Sequence, residues 1–167
     1  MSWEYVHLIT HPFAIVLSIT GALVGLAGWI FNRDELEWYG VLSLLLAGVF
    51  AVPSYFTGIA AADVVADRIF VRPSVVQTHR SWATWAAVTL VTAGIFAGFA
   101  VANREDRALR RLALVAGLAA AVLTGMAAIR GGAIEHGVNA NPPAEVAPAA
   151  EAPADAPADT LKEADLP

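Results

Sequence analysis

The sequence predicts an all-α integral membrane protein: an antiparallel four-helix bundle followed by a disordered C-terminal tail. Three observations predict it. Four long apolar runs carry no charge, two of the connections between them are short, and the composition switches near residue 140 to Pro, Ala and acids. Hydrophobic residues make up 57% of the 167-residue chain and charged residues only 15%. The mean hydropathy is +0.60. An ordinary soluble surface is more polar than this.

The first run is AIVLSITGALVGLAGWIF, residues 14–31. It does not read as a secretory signal, because its flank MSWEYVHLITHP has no basic segment and no cleavage pattern follows. Pro12 suits a first helical turn, which places Thr10 or His11 at the cap. The second run is WYGVLSLLLAGVFAVPSYFTGIAAA, residues 38–62, with Pro53 expected to bend it. The third is SWATWAAVTLVTAGIFAGFAVA, residues 81–102, and the fourth LALVAGLAAAVLTGMAAI, residues 112–129. Each is about long enough to cross ~30 Å of hydrocarbon as a helix. Backbone groups in lipid must be satisfied within the segment, so these runs are helices.

Residues 32–37 (NRDELE) join the first pair and residues 103–111 (NREDRALRR) the last. Short connections make their helices antiparallel neighbours. The middle connection, DVVADRIFVRPSVVQTHR, is longer, and is expected to hold an extension of the second helix or an interfacial segment. Gly21 with Gly25, and Gly94 with Gly98, form small-x-x-x-small pairs that let helices approach closely. Trp3, Tyr5, Trp29, Trp38, Tyr39, Trp82 and Trp85 mark the ends of spans, as interfacial rings do. Gly131 and Gly132 are expected to end or loosen the fourth helix.

The domain boundary falls at residue 140. Residues 1–140 form the transmembrane domain and residues 141–167 an acidic, Pro/Ala-rich tail that cannot build a core. The net charge of −5 belongs to the tail, since the nine arginines before it are matched by nine acids. No basic surface suits nucleic acid. The chain has no cysteine, which excludes disulfides, thiol catalysis and cysteine-ligated iron–sulfur clusters.

Four spans put both termini on one side, called here the terminal side. It carries Arg68, Arg72, Arg80 and Arg130; the other, the turn side, carries Arg33, Arg104, Arg107, Arg110 and Arg111. The positive-inside rule assigns the turn side to the cytoplasm and both termini to the outside of a bacterial inner (plasma) membrane.

The same topology collects His7, His11, His79 and His136 on the terminal side, with Asp63, Asp67 and Glu135. His7 and His11 are four apart, as are Asp63 and Asp67, so each pair shares a face where the chain is helical. Imidazoles from different helices suit the axial positions of a haem b or a transition metal, and carboxylates suit a metal or its second coordination sphere. His11, His79 and His136 are the cofactor-binding candidates, with Glu135, Asp63 and Asp67 as further metal ligands. A quinone head is another ligand with which His and Asp exchange protons. Ser18, Ser43, Thr57 and Thr124 have no histidine expected at comparable depth, so no hydrolytic triad is predicted. No charge lies in the middle of a span to mark an ion path.

Three stretches together resemble the DUF2231 family, small bacterial membrane proteins with four transmembrane helices. They are HPFAIV at 11–16, QTHRSWATW at 77–85 and GGAIEHGVNA at 131–140. The resemblance covers roughly residues 5–140 and excludes the tail. It implies the four-helix fold, retains His11, His79 and His136, and associates some relatives with haem or electron-transfer modules. The chain departs from the pattern at Val16, where the family places a second histidine, and has His7 upstream instead.

Two functions follow as expectations. One is a redox-associated membrane protein holding a haem or metal near the helix ends on the terminal side. The alternative is a structural or accessory subunit of a larger membrane complex, without a cofactor. The expected partners are the lipid bilayer, other membrane-complex subunits and further copies of the chain.

Overall fold

A computed structural model describes residues 2–66 and 71–135. Four helices follow in order: α1 (Trp3–Ile30), α2 (Asp34–Ala66), α3 (Pro73–Ala102) and α4 (Arg107–Glu135). Each is long and apolar enough to cross a membrane. The expected disorder of residues 141–167 lies outside the described residues, as do Asp67, Arg68 and His136.

α2 and α4 run beyond the apolar sequence at both ends, and α1 and α3 at their starts. Residues expected in the turns, Glu35 and Glu37 or Arg107, Arg110 and Arg111, instead form the first turns of α2 and α4. Local chemistry explains the tight connections. α1 ends in a Schellman motif: Arg33 N–H donates to the Gly28 carbonyl at 2.7 Å and Asn32 N–H to Trp29 at 3.4 Å. Asn32 takes the left-handed conformation this requires, φ 54°. α4 opens on Asp106, whose Oδ1 accepts from the N–H groups of Ala108 and Leu109 at 2.8 and 3.2 Å.

Pro12 does not start its helix. α1 begins at Trp3, capped by Ser2, and Pro12 sits inside it. The helix passes through Pro12, with polar side chains bonded to the turn before it. The Thr10 hydroxyl donates to the Val6 carbonyl at 3.0 Å, and His11 Nδ1 donates to the His7 carbonyl at 3.1 Å. Nor do Gly131 and Gly132 end α4, which continues to Glu135.

Packing follows the ring α1–α2–α3–α4, with α1–α2 and α3–α4 the most extensive seams and α1–α4 the slightest of the four. The α1–α3 diagonal makes hardly any contact. The interior is mostly Ala and Gly around Val41, Leu44, Leu90 and Leu114. Gly21 and Gly25 abut Gly40 on α2, so the first small-residue pair does mediate a close approach. In the second pair only Gly94 does so: a Cβ there would lie 3.1 Å from Gly48 Cα. Large apolar side chains such as Leu23, Phe56, Val88, Ile95 and Val122 point outward, as lipid-facing residues must.

At the turn side, two tryptophans bear arginines on their faces. Arg104 and Arg110 lie 5.7 and 5.0 Å from the Trp38 ring and Arg111 lies 5.2 Å from that of Trp29. These rings therefore pack the bundle end as well as mark the interface. Arg110, 3% exposed, is buried against Glu37, 5% exposed, with Nε and Oε2 3.7 Å apart. It also reaches Asp34 Oδ1 at 3.5 Å, tying α4 to α2.

Candidate functional site

The site develops where α1 and α3 begin and α2 and α4 end. His7 Nδ1 donates to the Ser54 carbonyl on α2 at 2.9 Å and lies 3.4 Å from Thr57 Oγ1. His79 Nδ1 donates to the Ala127 carbonyl on α4 at 3.0 Å. The two contacts share one design. A histidine near the start of one helix engages a carbonyl on the next, and a glycine four residues beyond that carbonyl clears room for the ring. A Cβ at Gly58 would stand 2.9 Å from His7 Cε1, and one at Gly131 would stand 3.1 Å from His79 Cε1. The glycine read from sequence as a helix stop is thus a seat for His79.

His11 occupies the turn of α1 below His7. Their rings stack, with centroids 5.1 Å apart and planes 13° apart. His79 stands at the same end of the bundle, near the start of α3. The structure thus brings His7, His11 and His79 to one end of the bundle, although α1 and α3 are diagonal partners.

Carbonyl oxygens only accept hydrogen bonds, so Nδ1 carries the proton in all three rings. In the neutral imidazole this leaves the lone pair on Nε2, and none of the three Nε2 atoms has a hydrogen-bond partner among the described residues. A ring nitrogen anchored to a backbone carbonyl is also how metal-binding histidines are commonly oriented.

The remaining candidates do not join this group. Asp63 is exposed on the last turns of α2. Glu135 ends α4, and Asp67 and His136 lie outside the described residues. Among the described residues no three His, Asp or Glu side chains are placed to hold one metal ion.

Sequence reasoning missed the polar groups contributed by α2 and α4. The prediction that no histidine reaches the depth of Thr57 is corrected by its 3.4 Å approach to His7. The longer α1 is the reason, since it carries His7 alongside α2. This is still no hydrolytic pair. Thr57 directs its hydroxyl to the Pro53 carbonyl at 2.8 Å, and His7 Nδ1 already serves Ser54. The Ser54 and Thr124 side-chain oxygens are buried and have no hydrogen-bond partner among the described residues. Ordinary seryl and threonyl residues in apolar runs gave no sequence signal for this.

No family model matches the chain, and no curated protein or solved structure matches it either.

Proposed function

We propose that the chain is a structural or accessory subunit of a larger membrane assembly. The observation that supports this best is the use made of His7 and His79. Each spends its Nδ1 proton on a carbonyl of the neighbouring helix, beside a glycine that makes room for the ring. These are packing devices, and they stiffen two helix pairs whose interiors are already closed by small residues. The resulting subunit contributes a rigid apolar shape to its partners. In this reading the protein lies in a bacterial plasma membrane with both termini outside, and the acidic tail is a soluble tether. Membership of the DUF2231 family is part of the same proposal. The test is gentle detergent extraction of the tagged chain from its native membranes. A stoichiometric co-purifying subunit supports the reading; a monodisperse chain without partners overturns it.

One observation favours the redox reading as second. The three Nε2 atoms have no hydrogen-bond partner among the described residues, which leaves their lone pairs for a haem iron or a transition metal. His11 and His79, with His136, are the proposed ligands. An absorption spectrum and metal analysis of gently purified protein test it, and absence of both haem and metal rejects it.

A further inference from the structure

We infer that the terminal-side mouth of the bundle binds the hydroxyl-bearing ring of a membrane-borne hydroquinone. The inference draws on the same nitrogen atoms as the redox reading, but it needs a mobile ligand and no resident haem or metal.

All four helices contribute polar groups toward the terminal side. His7 and His11 come from α1, Ser54 and Thr57 from α2, His79 from α3 and Thr124 from α4. Each lies about 21–25 residues from the turn at Asn32 or Asn103, or ~32–38 Å along a helix axis. The hydrocarbon core is ~30 Å thick. Counted from Trp38 and Leu112, where the charged first turns of α2 and α4 end, Ser54 and Thr124 stand ~24 and ~18 Å in, so the polar groups reach from the terminal-side edge into the hydrocarbon, where a lipid-soluble quinol presents its ring.

The chemistry of these groups is selective. Ser54 and Thr124 are 7% and 6% exposed, on the inward faces of α2 and α4, and their hydroxyl oxygens lack protein partners. Buried hydroxyls without partners are costly, which points to a missing polar guest. The neutral imidazoles offer three Nε2 acceptors. A guest bearing hydroxyl donors satisfies them, whereas an anionic headgroup does not. No three side chains among the described residues are grouped for a metal ion. A quinol carries two opposed hydroxyls on a flat apolar ring, one for an acceptor on α1 and one for an acceptor on α3. The α1–α4 seam, the slightest of the four adjacent ones, gives it a lateral route from lipid.

The test uses the full chain in nanodiscs, with nitrogen-15-labelled histidine, at about pH 8 where imidazole is neutral. A short-chain ubiquinol is titrated under anaerobic conditions. Saturable shifts of the unprotonated Nε2 resonances are expected, with the Nδ1 resonances little changed. In parallel, ligand quenching of tryptophan fluorescence should show at least about tenfold weaker binding for His11→Phe, while Asp63→Asn binds as the parent does. Wild-type protein whose Nε2 resonances ignore saturating quinol overturns the inference, whatever the variants do. So does equal binding by His11→Phe. A haem band or bound metal in the same preparation, with Nε2 already ligated and unresponsive to quinol, upholds the redox reading and rejects the quinol site. A metal-free protein that binds quinol separates them the other way.

Discussion

Gly48→Ala sets close helix packing against intrinsic helix preference. A Cβ on Gly48 would fall 3.0 Å from Gly94 Cα and 3.2 Å from the Leu90 carbonyl oxygen. Both neighbours are backbone atoms, so no rotamer change can relieve the contact. Carbon atoms prefer roughly 3.5–4.0 Å, so α2 and α3 must part by roughly a few tenths of an ångström, which weakens each affected contact. The seam that loosens includes Leu44, Ala47, Ala51, Leu90, Ala93 and Ala97. Overpacking of this kind costs about 1–3 kcal/mol. Alanine meanwhile gains about 1 kcal/mol in helix propensity over glycine. Gly125→Ala supplies the reference, because a Cβ on Gly125 meets nothing within 4 Å. Subtracting the two cancels the propensity gain, so Gly48→Ala should be less stable than Gly125→Ala by about 1–3 kcal/mol. Reversible unfolding in mixed micelles, followed by circular dichroism, measures the difference. Equal stability of the two variants would refute the reasoning, since then no backbone contact at Gly48 resists a methyl group.

Arg110→Leu should cost about 3–5 kcal/mol in the same assay, because it leaves Glu37 buried without its partner, and adding Glu37→Leu should restore most of that loss. His79→Phe should cost about 1 kcal/mol through the lost bond to Ala127. Gly131→Ala should show coupling by double-mutant cycle with His79→Ala, which removes the ring that competes with the new methyl for one space, and little with His79→Phe, which keeps a ring there. The chain has no native cysteine to compete with single thiol probes. Ser2→Cys and Ser74→Cys should therefore react with impermeant reagent from one side of intact vesicles, and Asn32→Cys and Asn103→Cys from the other.

The helix count and the antiparallel order were legible because charge-free runs of that length have few other uses. The helix ends were less so. Charges flanking the runs look like loop, yet Glu37 and Arg110 are helical and buried, because their opposite charges pair at 3.7 Å and Arg110 also covers Trp38. Pro12 was misplaced because a Ser2 cap starts the helix nine residues earlier and leaves the proline in its interior. At the site, topology was enough to bring His7, His11 and His79 together. It did not reveal that Gly58 and Gly131 seat rings, since a glycine in sequence reads equally as a break, a packing notch or a tolerated filler. Nor did it distinguish Ser54 from Ser18, whose hydroxyl donates to the Ile15 carbonyl at 2.9 Å.

The two histidine contacts bear on how the protein is made. They span 47 and 48 residues of sequence, His7 to Ser54 and His79 to Ala127. Every atom of the first, including its glycine, lies before residue 59, so the first pair of helices can lock while the third is still being synthesised. The second pair repeats the operation on its own. Biogenesis then reduces to joining two prefabricated halves along the α2–α3 and α1–α4 seams, and errors in one half need not propagate to the other.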